Sequence, residues 1–313
     1  MTSPRASIIL PTWNGEAELR RLMAALERQR LTGGFELCAI DSSSSDRSRE
    51  VLAKAGARIE VIEQKDFRHG ATRNRCALGA RGEFLVFLSQ DVEPVDETFL
   101  ERLLEAFEDP RVAGVYARIL PRPDDDPLTM RTALEAPEAA LAPHESDPRT
   151  VGDVDALVGA RRAEFLRFNN VASAIRADVF RALPFPDVAF GEDCAWSARA
   201  LAAGWKIRFA PQAVVYHAHR YSPASAFERY KVDAQFQRRE LGIQVRPSAL
   251  SALKGFAYEV RQDLSYLARR PGARTVGYAL FSPCLRGAQV LGQWVGSRGE
   301  DRSPTTRAFG RTS

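Results

Sequence analysis

The sequence of 313 residues contains few cysteines and no long apolar run. Its four cysteines form no Cys-x-x-Cys pair and stand in a chain too long to need disulfide staples, so we expect reduced thiols. No uncharged apolar run reaches the roughly 18 residues that a membrane-spanning helix needs, and none of signal-peptide length follows the N-terminus. We therefore expect a cytoplasmic protein, in solution or peripheral at the inner face of the plasma membrane.

Two widespread nucleotide-binding motifs are also absent. No G-x-G-x-x-G follows the first apolar run, which disfavours a dinucleotide-dependent oxidoreductase, and no G-x-x-x-x-G-K-S/T occurs, which disfavours a P-loop ATPase. Hydrophobic residues at 45% and charged residues at 27% are nevertheless typical of a globular protein with a core of its own. A disordered or wholly membrane-embedded chain is therefore excluded.

The charge of the chain argues against nucleic acid as a partner. A net charge of +4, from 44 basic and 40 acidic residues, is weak for a nucleic-acid binder. Residues 241–313 contain eleven Arg or Lys and four Asp or Glu, a surplus of seven, so residues 1–240 carry a net −3. Such a basic tail suits an anionic membrane surface, and it equally suits a solvated flank packed beside a catalytic domain.

The first 120 residues alternate between strand and helix patterns. Apolar runs predict strands at residues 7–10, 35–40, 58–62, 84–88 and 112–120. Helical periodicity predicts helices between them, including 46–55 and 72–80. This alternation predicts an α/β fold with a mostly parallel sheet flanked by helices, whose ligands bind beyond the carboxyl ends of the strands.

The rest of the chain is less regular. A Pro- and Asp-rich segment, residues 121–155, predicts an excursion over the surface that contains one helix near 128–136. Strands are then predicted at 172–175, 206–209 and 213–217, and a helix with inward-facing Trp196, Ala200 and Ala203 at 192–203. Beyond Tyr221 the chain is predicted to be helical, with Val260, Leu264 and Leu267 on one face.

Small polar residues follow the first two predicted strands. Pro11, Thr12 and Asn14 follow the first, and Asp41 and Ser43 begin a serine-rich turn after the second. A carboxylate such as that of Asp41 can accept the imide N–H of uracil or thymine. The same residue types are also common in ordinary capped turns, so this alternative stays open.

Acidic and imidazole side chains follow other predicted elements. Asp91 comes after an apolar strand, where a carboxylate can hold a hard divalent cation together with substrate phosphates, although Asp is equally common in turns. His217 and His219 would lie on one side of a strand and could share a metal, but the sequence identifies no third ligand. Glu192 and Asp193 open a helix, where paired acids are ordinary helix caps or, beside a ligand, a general base.

Seven motifs, in this order and spacing, resemble the inverting glycosyltransferases of family 2, which have the GT-A fold. They are residues 8–14, 41–46, 69–74, 89–91, 169–176, 190–193 and 215–219. Within that family, residues 67–70, the Gln90-Asp91 pair and the His-x-His ending are most similar to bacterial rhamnosyltransferases that use dTDP-rhamnose. The resemblance covers about residues 5–240.

The resemblance also implies an organisation of the chain. Residues 1–240 would form the GT-A domain, with the nucleotide-binding half in 1–120 and the acceptor and catalytic half in 156–220. Residues 241–313 would form a helical, basic C-terminal extension.

The resemblance implies a role for each motif. The nucleotide sugar would contact Pro11, Thr12, Asn14, Asp41, Ser43, Arg73, Ser89 and Gln90. Asp91, with His217, would hold Mg²⁺ or Mn²⁺ on the diphosphate, Asp193 would be the catalytic base and Glu192 its neighbour. The acceptor side would contain Asn169, Asn170 and Trp196, although Trp196, like Trp13, is also interpreted as core packing. The family's Asp-x-Asp is Ser89-Gln90-Asp91 here, which predicts weaker metal binding.

The implied function is the transfer of a sugar, rhamnose by the nearest resemblance, from a nucleoside-diphosphate donor to a glycan or lipid-linked acceptor. Two alternatives stay open. A GT-A-like nucleotidyltransferase usually needs an early Gly-rich basic loop, which residues 12–17 do not offer. A catalytically silent nucleotide-sugar-binding or polysaccharide-binding relative would explain the incomplete Asp-x-Asp.

Overall fold

A single mixed sheet organises the chain in the computed structural model, which describes residues 3–272 and 274–298. Its nine strands in the described residues are Ala6–Thr12 (β1), Phe35–Asp41 (β2), Arg58–Val61 (β3), Phe84–Leu88 (β4), Glu93–Pro94 (β5), Val112–Leu120 (β6), His144–Ser146 (β7), Ala172–Arg176 (β8) and Lys206–Tyr216 (β9). The order across the sheet is β3-β2-β1-β4-β8-β6-β9-β5, and β7 pairs with β9. Strands β3, β2, β1 and β4 are parallel, whereas β8 runs antiparallel between β4 and β6. The predicted α/β fold is therefore confirmed.

Helices cover both faces of this sheet because its strands are apolar on both sides. The helices are Glu16–Glu27 (α1), Ser48–Lys54 (α2), His69–Ala77 (α3), Phe99–Glu105 (α4), Pro127–Leu134 (α5), Gly159–Phe165 (α6), Ala177–Ala182 (α7), Glu192–Ala202 (α8), Pro223–Leu241 (α9), Ala249–Ala268 (α10) and Thr275–Gly296 (α11). Along β1, Ile9 packs into the core under α3, α7 and α8, and Ile8 and Leu10 pack into the core under α1, α2 and α4. The alternation follows from the two-residue period of a strand.

Several predicted boundaries differ from the structure. The helix predicted at 72–80 runs from His69 to Ala77, and the one predicted at 46–55 runs from Ser48 to Lys54. The two strands predicted at 206–209 and 213–217 are one strand, β9. A bulge interrupts its pairing, because Ala117 faces Ala210 while the next residue, Arg118, faces Val214.

A buried charge network ties the predicted surface excursion to the helical extension. Arg131 of α5 donates to Asp263 of α10 at 2.6 Å, and Arg286 of α11 donates to the same carboxylate at 2.7 Å. All three side chains are buried. The predicted helix is present, but the face predicted to contain Leu264 and Leu267 is not uniformly buried, because α10 turns Asp263 toward this network and leaves Leu264 44% exposed. Ala203 is likewise exposed, because it follows the last residue of α8.

Helix α9 connects the sheet to the extension by packing closely along α11. Side-chain carbons added at Gly292 and Gly296 would lie 2.3 Å from the carbonyl oxygens of Phe227 and Lys231, so only glycine permits this approach. None of the described helices has the length and apolar character needed to span a bilayer.

Candidate active site

Two connected pockets form a cleft at the carboxyl ends of β1 and β4, where the strand order reverses and ligands of such sheets bind. The strand-end pocket, about 370 Å³, is lined by Pro11, Thr12, Trp13, Phe67, Ser89 and Gln90, among others. The helix-side pocket, about 650 Å³, is lined by Asn169, Asn170, Asp193, His217 and Arg229, among others. The wall between the pockets is shared, and it consists of His69, Arg73, Ser89 and Asp91.

Five of the residues predicted to contact the nucleotide sugar line the strand-end pocket. These are Pro11, Thr12, Arg73, Ser89 and Gln90. They come from three separate motifs: the last two residues of β1, the start of α3 and the residues that follow β4. The parallel arrangement of β1 and β4 brings the first and last of these motifs to the same edge of the sheet.

The other three predicted nucleotide contacts lie beneath or beside the pocket. The carboxylate of Asp41 is fully buried and accepts hydrogen bonds from the amide and hydroxyl of Ser44 and from the hydroxyl of Thr12. Asn14 (φ 43°) and Ser43 (φ 59°) adopt left-handed backbone conformations, and their side chains bond to neighbouring backbone groups. These residues shape the turns that surround the pocket, because their polar atoms already have partners within the protein.

Trp13 is a site residue that the sequence interpretation missed. It was interpreted as core packing, but it is 46% exposed and lines the strand-end pocket. Gln90 fixes its backbone: the Trp13 amide donates to Oε1 at 2.8 Å, and Nε2 donates to the Trp13 carbonyl at 3.0 Å. The adjacent Gly15 leaves room for the Gln90 amide, since a side-chain carbon there would lie 2.6 Å from it. The cleft thus presents a flat aromatic ring at its mouth.

A cluster of one carboxylate and two imidazoles lies where the pockets meet. The two-residue strand β5 pairs with the end of β9, with Glu93 opposite Tyr216, and this pairing brings Asp91 beside the two histidines. Asp91 Oδ2 is 3.3 Å from His217 Nε2 and 3.8 Å from His219 Nδ1. Asp91 thus lies close enough to both histidines to be a potential third ligand beside them.

The donor set of this cluster fits a divalent cation. One potential ligand atom from each of Asp91, His217 and His219 lies within 4.8 Å of the others. Burial raises the pKa of Asp91, but the hydrogen bond from His217 and the histidine charges outweigh it, so its pKa lies below the usual range. Asp91 is thus ionised near neutral pH, and a donor set of two imidazoles and one carboxylate suits Mn²⁺ better than Mg²⁺, which prefers oxygen ligands.

The paired acids at the start of α8 have different environments. Glu192 is buried and accepts from Arg73 Nη1 at 3.0 Å and from Asn170 Nδ2 at 3.2 Å. Among the described residues, Asp193 accepts hydrogen bonds from backbone groups alone, from the amides of Cys194 at 2.8 Å and Asn170 at 3.3 Å. Burial and the neighbouring charge of Glu192 raise the pKa of Asp193 well above its usual range. Asp193 is therefore a stronger proton acceptor than an ordinary aspartate.

Arg73 offers an unsatisfied donor to the shared wall of the cleft. Its Nε is buried and has no hydrogen-bond partner among the described residues, although Nη1 pairs with Glu192. Burial lowers the pKa of neighbouring His69, which favours a neutral imidazole in the same wall. A buried guanidinium with a free N–H is suited to receive an anionic ligand.

The predicted acceptor residues divide between the pocket and the core. Asn169 and Asn170 lie in the wall of the helix-side pocket beside Asp193. Trp196 is fully buried, and its ring nitrogen donates to the Leu183 carbonyl at 2.8 Å. The assignment of Trp196 to the acceptor side is wrong. Trp196 lies three residues after Asp193 in α8, on the side of the helix that faces the sheet.

The sheet and its cleft have the GT-A fold of glycosyltransferases. Solved structures of this class share the fold over most of the chain. A mannosyltransferase of Pyrobaculum calidifontis, solved with GDP-mannose and Mn²⁺, superposes with a TM-score of 0.58 at 16% identity, over 95% of this chain and 86% of its own.

The chain belongs to glycosyl transferase family 2, whose model matches residues 7–165. It is 31% identical over 269 residues to the O-antigen chain rhamnosyltransferase WbaN of Salmonella anatum. It is 28% identical over 269 residues to the O-antigen chain rhamnosyltransferase RfbN of Salmonella typhimurium. Each match covers 84% of this chain and 81% of the relative. The protein is therefore a glycosyltransferase, as the order of its motifs predicted.

Proposed function

We propose that the enzyme transfers rhamnose from dTDP-rhamnose to a glycan acceptor, with inversion at C1, in polysaccharide biosynthesis. One observation carries the reaction type: Asp193 and the Asp91 cluster line the same pocket, which Arg73 also lines. The two rhamnosyltransferase relatives support the sugar. An inverting displacement needs one base on one side of C1 and charge stabilisation on the other, and the cleft supplies both.

In this reaction the nucleoside diphosphate occupies the strand-end pocket, and the ring of Trp13 is a platform on which the nucleobase stacks. Asp193 removes the proton from an acceptor hydroxyl as that oxygen attacks C1 from the face opposite the nucleotide. The new C1–O bond forms while the bond to phosphate breaks, and its electron pair leaves with the nucleoside diphosphate. The raised pKa of Asp193 suits this task, because a base is most effective when its pKa lies near the working pH.

We propose that Asp91, His217 and His219 hold Mn²⁺, or Mg²⁺ more weakly, beside the diphosphate. A bound divalent ion would neutralise charge on the departing diphosphate. Two histidines then compensate for the first carboxylate of Asp-x-Asp, which is Ser89 here.

The experiment that tests this function measures nucleotide release and transfer with dTDP-rhamnose, UDP-sugars and GDP-sugars in the presence of Mn²⁺. We expect dTDP-rhamnose to be consumed fastest and to be hydrolysed slowly even without acceptor, since water can replace the acceptor hydroxyl. A silent binding protein would release no nucleotide from any donor. A nucleotidyltransferase would instead form a nucleotide sugar from a nucleoside triphosphate and a sugar phosphate.

We further propose that residues 1–240 form the catalytic unit and residues 241–313 an extension that rests on an anionic membrane, where a lipid-linked acceptor would be met. The solvent side of α10 supports this location. It exposes Leu250 and Leu253 together with Lys254 and Arg261, while the acids of α10 point inward into the charge network. Leucines interleaved with cations suit the headgroup region of anionic lipids.

Helix α11 extends the same type of surface. It contains no Asp or Glu, and its one charged side chain, Arg286, is buried. Val276 is 70% exposed, Leu280 77% and Leu291 47%. An apolar surface of this kind supports a peripheral location at the inner face of the plasma membrane. Arg302, Arg307 and Arg311, which add to the basic count of the tail, lie outside the described residues.

A further inference from the structure

One side of α9 forms a wall of the helix-side pocket that no sequence motif identified. Arg229, Asp233, Phe236, Gln237 and Leu241 all line this pocket. They follow Arg229 at intervals of four, seven, eight and twelve residues, which places them on one face of the helix. Because the same pocket contains Asp193, this helix face lies across the space that an acceptor must enter.

Phe236 touches the backbone that leads directly into the catalytic acids. Gly191 has φ 77°, and a side-chain carbon there would lie 2.2 Å from Cε2 of Phe236. Glycine is therefore needed both for the turn before α8 and for the close approach of the ring. The Phe190 ring packs edge-on against Phe236 with 5.5 Å between centroids. These two rings offer apolar surface immediately beside Asp193.

Polar groups stand next to these rings. Arg229 Nε donates to Asp233 Oδ2 at 3.0 Å, and its guanidinium carbon lies 5.4 Å from the centre of the Phe190 ring. The Asp233 side chain keeps 25% of its surface exposed and that of Arg229 keeps 49%. A guanidinium can donate several hydrogen bonds and a carboxylate can accept several, so the pair can bind neighbouring hydroxyl groups of one ring.

The charges of the pocket favour a neutral ligand. Each arginine in its walls is matched by an acid. The pairs are Arg229 with Asp233 at 3.0 Å, Arg73 with Glu192 at 3.0 Å and Arg167 with Glu138 at 3.9 Å. A carboxylate on the ligand would find no uncompensated arginine and would be repelled by Asp193. Apolar rings beside paired polar groups are typical of sites that bind a small polar molecule and orient it.

We propose that Arg229, Asp233 and Phe236 form the acceptor subsite and that it takes a neutral pyranose of the acceptor glycan, with one hydroxyl directed at Asp193. This inference rests on the proposed transfer reaction. It assigns acceptor recognition to α9, whereas the sequence resemblance assigned part of that recognition to Trp196.

The test compares the wild type with Asp233→Asn and Phe236→Leu, using neutral p-nitrophenyl hexopyranosides as acceptor probes and dTDP-rhamnose as donor. We expect the acceptor KM to rise about tenfold or more in Asp233→Asn, as expected for a lost hydrogen bond to a charged group. The acceptor KM should also rise in Phe236→Leu, because the aromatic surface beside the sugar is lost. In both variants, hydrolysis of dTDP-rhamnose without acceptor should fall much less than transfer to the probes, because water does not need the subsite. The control is Glu228→Gln, on the same helix but 64% exposed and outside the pocket.

Saturation-transfer NMR reads probe binding without turnover, so it separates this inference from the proposed function. Neutral probes should give saturation-transfer signals with the wild type and lose those signals with Asp233→Asn. This result is expected whether or not dTDP-rhamnose is the donor. The inference is overturned if no neutral probe binds the wild type, or if p-nitrophenyl glucuronide binds better than all of them. It is also overturned if both pocket variants lose donor hydrolysis as fully as transfer, because α9 would then act on the donor or the base.

Discussion

Replacing Asp193 with Asn tests the assignment of the base while changing little else in the cleft. The side chain keeps its size but loses its ability to accept a proton. General-base catalysis contributes about 10²–10⁴-fold to the rate of such reactions, so we expect turnover to fall about 10³-fold. Donor affinity should stay unchanged, because Asp193 lines the helix-side pocket and not the strand-end pocket.

The same variant has a defined effect on stability. Burial and Glu192 raise the folded-state pKa of Asp193 above its unfolded value, so its ionisation destabilises the fold as pH rises through that pKa. Asn carries no such charge, although it can accept only one of the two backbone hydrogen bonds, which costs about 1–3 kcal/mol. The Tm of the variant relative to wild type should therefore increase between pH 5 and pH 8.

Two assays check this prediction. Chromatography of released nucleotide gives turnover, and calorimetry gives donor affinity. In the wild type, kcat/KM should fall as the solution becomes acidic enough to protonate Asp193, and the onset should lie nearer neutrality than for an ordinary carboxyl. If Asp193→Asn keeps near wild-type turnover, or loses donor affinity in proportion to rate, the assignment is wrong.

Three further changes test the metal site, the membrane surface and the charge network. Asp91→Ala should lower the Mn²⁺-dependent affinity for dTDP-rhamnose at least about tenfold, and equal calorimetric affinity with and without Mn²⁺ in the wild type would count against the metal. Leu280→Glu should reduce flotation with phosphatidylglycerol vesicles, whereas Leu141→Glu, at an equally exposed position outside the extension (74% against 77%), should not. Equal flotation of both variants would remove α11 from the membrane surface. Asp263→Ala leaves two buried guanidinium groups without their shared carboxylate and should cost about 3–5 kcal/mol in urea unfolding. A loss below about 1 kcal/mol would show that the network stabilises little.

The sheet could be predicted because its strands are short, apolar runs with helical periodicity between them. Runs such as 84–88 are buried on both faces, and this is the pattern of a parallel strand covered by helices. The exact ends of helices α2 and α3 and the bulge in β9 could not be predicted, since they depend on hydrogen bonds and pairing between distant residues. Ala117 and Ala210, which form the last pair before the bulge, are far apart in the sequence.

The site was predictable where position after a strand decides exposure, and not where a side chain already has an internal partner. Asp91 lies three residues beyond the end of β4 and reaches the cleft, whereas Asp41, the last residue of β2, accepts hydrogen bonds from the turn that follows it. The contact between Asp91 and His219 depends on the pairing of β5 with β9, which no local pattern reveals. The α9 wall also carries no motif, because a function for its residues is indicated only by the pocket that they face.

The most direct test of the central claim is proton NMR of the anomeric region during transfer from dTDP-rhamnose to a neutral glycoside. A single displacement with Asp193 as base predicts that the first product has the anomeric configuration opposite to that of the donor. A product that retains the donor configuration would contradict the account, because it would require a second displacement and a nucleophile on the other face of the sugar.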